Sequence, residues 1–140
     1  MKHTVTANDY PLGKNKSQLI FTPGGVNIND ITFENLKTEK MKRDDCTVSS
    51  DSLLYQAQIA EQDGNRTMAD NFRRAAEMVH IESDRIIEIY NALRPYRSTE
   101  SELLEIVREL RETYNAEKTA DFVEEAAGVL KLRKKLRGDR

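Results

Sequence analysis

From Asn71 to Thr99 the chain reads Asn-Phe-Arg-Arg-Ala-Ala-Glu-Met-Val-His-Ile-Glu-Ser-Asp-Arg-Ile-Ile-Glu-Ile-Tyr-Asn-Ala-Leu-Arg-Pro-Tyr-Arg-Ser-Thr, and no other stretch narrows the fold as much. Met68, Phe72, Ala75, Ala76 and Val79 recur at i, i+4, i+7, i+8 and i+11, which is one stripe of an α-helix and cannot be one face of a strand. A second stripe, Ile86, Ile89, Tyr90 and Leu93, follows the polar break Glu82-Ser83-Asp84, where Ser83 or Asp84 can accept the first free amides as an N-cap. Pro95 then closes the second helix, because the residue before a proline is pushed out of the α region.

The same pattern continues on both sides. Before this stretch, Leu53, Leu54, Ala57 and Ala60 form a stripe capped by Ser49, Ser50 or Asp51, and Gly64 suits the left-handed position that ends a helix. After it, Thr99 and Glu102 have the spacing of a capping box, and Leu103, Ile106, Val107, Leu110 and Tyr114 supply the buried face. A last helix from about Ala116 uses Phe122, Val123, Ala126 and Val129 or Leu130, and runs into Lys131-Leu132-Arg133-Lys134-Lys135-Leu136-Arg137. Residues 1–48 differ in kind. Their apolar residues come as scattered pairs between turn formers such as Thr22-Pro23-Gly24-Gly25. Gln18 to Thr22 and Val26 to Ile28 suit short extended pieces, and Ile31 to Lys37 suits a couple of helical turns capped by Asp30 or Thr32. Tyr10, Leu12, Leu19, Ile20, Phe21, Ile28, Ile31, Phe33 and Leu36 are too many apolar side chains for a disordered tail. The reading is therefore an all-α bundle of four to five helices, residues 49–140, preceded by an extended, irregular N-terminal arm, residues 1–48, that packs on another surface.

Composition bounds the function. The 140 residues fit one domain, and 38% apolar residues with no Trp give a modest core. With 22 Lys+Arg against 24 Asp+Glu the field nearly cancels, which argues against a dedicated duplex binder. One cysteine, Cys46, excludes an internal disulfide framework and a cysteine-rich zinc site and suits a reducing cytoplasm. The N-terminus lacks the apolar run of a secretion signal, and no segment approaches the ~20 apolar residues that span a bilayer.

Catalytic candidates are few. His3 sits in a tail, and His80 ends a helix, where an imidazolium meets the carbonyl end of the dipole; ligation of a metal by His80 with Glu77 and Asp84 is the competing reading. Cys46 stands beside Asp44 and Asp45, which disfavour a thiolate. Most carboxylates lie at i±3 or i±4 from Lys or Arg, as on a solvated helix face. The basic end reads as a cationic helix terminus facing its own dipole or as a phosphate-binding tail. Arg94-Pro95-Tyr96-Arg97 has the residue types of an interface hot spot, or of a cap for the helix ending near Leu93.

Several blocks carry a resemblance: Leu54-Tyr55-Gln56-Ala57-Gln58-Ile59-Ala60, Asn71-Phe72-Arg73-Arg74-Ala75-Ala76-Glu77, Ile89-Tyr90-Asn91-Ala92-Leu93-Arg94-Pro95-Tyr96-Arg97-Ser98, Glu102-Leu103-Leu104 and Ala120-Asp121-Phe122-Val123, with Tyr10-Pro11-Leu12 in the arm. Together they resemble the small (gamma) subunit of adenosylcobalamin-dependent glycerol and propanediol dehydratases. The resemblance implies a hydro-lyase whose chemistry lies on other chains. A large (alpha) subunit would hold the diol and the radical chemistry, a medium (beta) subunit would help enclose adenosylcobalamin, and this chain would bind no cofactor or metal and carry no catalytic residue. The reaction implied removes water from glycerol, giving 3-hydroxypropanal, or from propane-1,2-diol, giving propanal, and the assembly implied is a dimer of heterotrimers. Only nine residues precede Tyr10, which tilts the expectation toward glycerol and leaves packaging in a bacterial microcompartment unsignalled by this chain. Tyr10, Pro11, Leu12, Phe33, Phe72, Arg73, Arg94, Pro95, Tyr96 and Arg97 are the candidate interface residues. The expected location is cytoplasmic, with neither nucleic acid nor membrane as partner. The alternative is a helical nucleic-acid-binding or regulatory adaptor using Arg73, Arg74 and the cationic end.

Overall fold

The computed structural model describes residues 3–139, with the backbone alone for Arg43 and Asp44; Met1, Lys2 and Arg140 lie outside the described residues. Among them are seven α-helices and no strand: α1 (Leu12–Asn15), α2 (Phe33–Lys37), α3 (Ser50–Gln62), α4 (Arg66–Met78), α5 (Ser83–Ala92), α6 (Glu100–Glu112) and α7 (Glu117–Leu132). The protein is all-α. It divides into two compact units, Met1–Val79 and His80–Arg140, so the arm shares a unit with α3 and α4 although composition changes at residue 48.

In the first unit a tight helical hairpin forms the frame. The Ser49 hydroxyl accepts the Ser52 N–H at 3.3 Å to start α3. Gly64, at φ +81°, turns the chain at the other end, where the Gly64 and Asn65 amides close on the carbonyls of Glu61 and Ala60 at 3.0 and 2.8 Å. Asn65 then caps α4 by accepting the Met68 N–H at 3.1 Å, so one residue ends one helix and begins the next. The small buried residues of the hairpin are Ala57 and Ala60 on α3 and Ala69 and Ala76 on α4. This corrects the expected stripe: Met68 is exposed, and Leu53, Leu54 and Phe72 are half-buried. Alanines let the backbones approach closely, and the rotation that turns them inward carries the larger neighbours out.

The arm is partly folded back on α3. Val5, 1% exposed, and Leu12 pack with Tyr55, and Leu19, Ile20 and Ile59 lie against them. Its backbone is held by glutamine side chains: Gln58 Oε1 accepts the Val5 N–H at 2.9 Å, Gln62 Oε1 accepts the Ala7 N–H at 3.0 Å, and Gln62 Nε2 donates to the Val5 carbonyl at 3.0 Å. The two expected extended pieces pair around the Pro23-Gly24-Gly25 turn, with the Ile28 N–H donating to the Ile20 carbonyl at 3.0 Å and the Thr22 N–H to that of Val26 at 2.9 Å. Thr32, as expected, caps α2 through the Asn35 N–H at 3.2 Å.

The second unit buries Leu103, Ile106, Val107 and Leu110 of α6 against Ala120, Val123 and Ala127 of α7, with Ile89 of α5 and Ala116 joining the same cluster. The capping box forms as expected: Glu102 Oε2 accepts the Thr99 N–H at 2.8 Å and Thr99 Oγ1 accepts the Glu102 N–H at 3.3 Å. Two boundaries differ from the sequence reading. Glu82, not Ser83 or Asp84, is the N-cap of α5, and its side chain makes no cap bond. The last helix stops at Leu132 rather than running on to Arg137, because Lys134 adopts a left-handed φ of +52° while the Lys135 N–H closes on the Leu130 carbonyl at 2.9 Å. Tyr90 and Phe122, placed by periodicity on buried stripes, face solvent, and of the alternatives Val129 and Leu130 it is Leu130 that packs against the core.

Leu110→Ala is expected to cost about 2–5 kcal/mol, as for a fully buried leucine, whereas Leu132→Ala, at 84% exposure, should shift stability by about 0.5 kcal/mol or less. Urea unfolding of the two variants followed by circular dichroism checks this, and equal losses would contradict the assignment of the core.

Candidate docking surfaces

Large apolar side chains stand outside the cores of both units: Ile87, Tyr90, Leu104, Phe122, Val129 and Leu132 on the second, and a further set on the first. Tyr10 (68% exposed), Phe33 (80%), Phe21, Ile31, Leu36, Val48 and Met68 are all solvent-facing. Two open grooves run beside Tyr10. One, of about 410 Å³, is lined by Phe21, Ile28, Ile31 and Val48; the other, of about 380 Å³, by Ile59, Met68 and Phe72. Tyr10 thus lines both troughs, with Pro11 beside it at the surface and Leu12 buried. Apolar grooves of this kind at a protein surface commonly serve docking.

Of the candidate interface residues, Tyr10, Pro11, Phe33 and half-buried Phe72 are placed where a partner can reach them, while Leu12 belongs to the interior. Arg73 is engaged within the chain. It ties α4 to α3 through Glu61 and to Asp70 at 3.2 Å, and the Glu61 hydrogen bond above all raises its pKa. Arg74 bonds Asn71. Both arginines of the adaptor reading thus serve the hairpin.

Charge organises the second unit around two guanidiniums. Arg111 holds the α6–α7 pair together through Asp121 at 2.8 Å, Glu124 at 2.7 Å and Glu117 at 3.3 Å. Arg85 of α5 bonds both carboxylate oxygens of Glu109 on α6, and Glu88 at 2.7 Å. Both pKa values rise, through the hydrogen bond to Asp121 for Arg111 and to Glu109 for Arg85.

Arg94-Pro95-Tyr96-Arg97 and the basic end, separate in the sequence, meet in the structure. The Tyr96 N–H donates to the Lys135 carbonyl at 2.6 Å and the Arg137 N–H to the Ser98 carbonyl at 2.9 Å. Lys135 Nζ donates to the Tyr96 hydroxyl at 2.8 Å and stands 5.0 Å from the ring centroid. Arg137 reaches the Arg97 carbonyl at 3.4 Å and Glu102 at 2.5 Å, and Lys131 pairs with Glu100 at 2.9 Å. The tail is thus a clasp over the α5–α6 link, not a frayed helix end, and Tyr96 is half-buried beneath it. Arg94 and Arg97 remain exposed. Sequence reasoning missed Lys135 and Arg137 as structural residues. Their only signal was that the cationic run outlasts the apolar stripe.

Chemistry within the chain is sparse. Among the described residues no three of His, Cys, Asp and Glu cluster closely enough to hold a metal ion. His80 lies exposed beyond the end of α4, and Cys46 is an exposed free thiol at the first groove; the Asp44 side chain lies outside the described residues. No helix among the described residues is long and apolar enough to cross a membrane.

Apolar troughs and unneutralised cations on an all-α scaffold are the features of a chain that docks onto others. Residues 5–137 match the family described as dehydratase small subunit, and the chain belongs to that family. It is 43% identical over 137 residues to the propanediol dehydratase small subunit of Citrobacter freundii, covering 98% of this chain and 80% of that one. It is 45% identical over 136 residues to the same-named subunit of Salmonella typhimurium, covering 97% and 79%. The family name itself places larger subunits beside chains of this kind.

The Glu102 carboxyl carries a pH prediction. The Thr99 backbone N–H first, and Arg137 second, hold its pKa below the ordinary glutamate value in the folded state. Its stabilising contribution is present above the unfolded pKa and is lost as pH falls through the depressed one. Acid unfolding of Glu102→Gln followed by circular dichroism should therefore show a flatter dependence on pH below the usual glutamate range than the parent does; an identical acid limb would refute the linkage.

Proposed function

We propose that this chain is the non-catalytic small subunit of an adenosylcobalamin-dependent diol dehydratase, and that it stabilises the large catalytic subunit within a dimer of heterotrimers. The observation that carries this reading is the match over residues 5–137 to dehydratase small subunits, with relatives named for propanediol dehydratase at 43% and 45% identity. Those names favour propane-1,2-diol, converted to propanal and water, ahead of glycerol, converted to 3-hydroxypropanal and water. The diol pocket would lie on another chain, so substrate choice is a property of the large subunit.

In this proposal adenosylcobalamin, and the hydrogen abstraction it supports, belong to the large and medium subunits. The two grooves beside Tyr10, open and mainly apolar at about 410 and 380 Å³, are read as docking surface. What this chain contributes is surface: Tyr10, Pro11, Phe33 and Phe72 on the first unit and Arg94 and Arg97 on the second. Burying exposed aromatics on a partner removes apolar area from water at roughly 25 cal/mol per Å² before the costs of association.

Co-expression with the large and medium subunits tests the reading. The expected result is co-purification of all three, with aldehyde released from propane-1,2-diol only when adenosylcobalamin is added, and with less soluble large subunit when this chain is omitted. A large subunit equally soluble and equally active without this chain would exclude a stabilising role.

A further inference from the structure

The cations of the second unit fall into two sets. Arg85 and Arg111 are each surrounded by carboxylates, and Lys131 and Arg137 have one apiece. Arg94, Arg97, Arg133 and Lys134 are exposed, and among the described residues none of them pairs with a carboxylate. The first two flank Pro95 and Tyr96 on the α5–α6 link, and the last two open the tail whose Lys135 lies on Tyr96. These four unneutralised charges lie on the α5–α6 link and on the tail bonded to it, whereas Arg108, the other guanidinium of the unit without a carboxylate partner among the described residues, stands on α6.

That link is also held rigidly. Tyr96 sits at φ +64°, a left-handed conformation that residues with a side chain adopt only at a cost. The tail overrides that cost, with backbone bonds from Tyr96 to Lys135 and from Arg137 to Ser98, and with the Lys135 ammonium on the tyrosine hydroxyl and ring. Fixing Tyr96 fixes the directions in which the chain leaves for Arg94 on one side and Arg97 on the other.

We propose that residues 133–139 form a strap that holds Arg94 and Arg97 out as a preset docking corner for an acidic face of the larger dehydratase subunit. The proposal rests on the reading of this chain as a small subunit. A link whose backbone is already fixed leaves only the two side chains to order on meeting carboxylates, which guanidinium forks can grip in pairs of parallel hydrogen bonds. A nucleic acid suits the corner less well. Glu100 and Glu102 stand at the same place, the whole chain carries a formal charge of −2, and a phosphate backbone would meet that repulsion over many nucleotides. Tyr96 and Lys135 are positioning residues here; Arg94 and Arg97 make the contact.

The test uses the full chain and a complex immobilised through the large subunit, with the dissociation constant of the small subunit read across a salt series. Arg94→Ala combined with Arg97→Ala should weaken binding on the order of tenfold and flatten its salt dependence. Arg94→Lys combined with Arg97→Lys should keep the salt dependence. Tyr96→Ala changes no charge, so it should weaken binding about threefold while leaving the salt dependence as in the parent, and Tyr96→Phe, which keeps the ring under Lys135, should restore most of the loss. Unchanged affinity and salt dependence in the double alanine variant would overturn the docking corner, and unchanged affinity in Tyr96→Ala would overturn the strap. Assembly left intact by the double alanine substitution, together with lost retention of a labelled DNA duplex at physiological salt, would overturn the protein partner in favour of a polyanion. Failure of the parent chain itself to bind the large subunit would instead remove the small-subunit reading beneath the proposal.

Discussion

Alanine at the helix seams is the constraint on which the remaining structure depends. Ala57, Ala60, Ala69 and Ala76 line the α3–α4 contact, and Ala116, Ala120 and Ala127 face Leu103 and Leu110 in the second unit. Small residues permit close backbone approach, which gives two tightly packed helix pairs from few large side chains. The consequence falls on those large side chains. With the seams filled by alanine, Met68, Phe122, Val129 and Leu132 have no place inside, and they stand on the surface with Tyr10 and Phe33. A chain packed this way holds its own shape and still presents apolar area to others.

Electrostatics complete what the seams begin. Each helix pair carries an arginine that bridges it: Arg73 from α4 to α3, and Arg111 from α6 to α7, with Arg85 bringing α5 onto α6. Exposed pairs of this kind add little individually, but a guanidinium shared by two or three carboxylates fixes geometry as well as charge. They also occupy Arg73, Arg85 and Arg111 within the chain. The Arg94 to Arg97 corner stands out against that background, since the tail that covers it spends Lys135 and Arg137 on structure and leaves its neighbours Arg133 and Lys134 unpaired.

Legibility of the fold in the sequence followed physical locality. Helix ends were readable wherever a short-range signal sets them: Thr99 with Glu102, Thr32 before α2, Ser49 before α3, and Gly64 after it. Which face turns inward was less readable. Periodicity chose the largest apolar residues, Met68 and Phe72, whereas close packing chose their small neighbours Ala69 and Ala76. The left-handed Lys134 had no glycine to announce it, so the stop at Leu132 was hidden. At the candidate surface, the exposure of Tyr10 and Phe33 agrees with an arm too apolar to be a tail, while the burial of Val5 and Leu12 depends on a partner more than forty residues away that no local pattern reveals. The three uncharged amides Gln56, Gln58 and Gln62, on a chain otherwise rich in charge, were the available hint.

Those amides have a further implication. Gln58 and Gln62 grip the peptide groups of Val5 and Ala7, while the Thr6 side chain between them bonds Asp9 within the arm at 3.1 Å. The leading edge of the arm is therefore moored by its main chain, and the contour it presents outward can change without loosening the mooring itself.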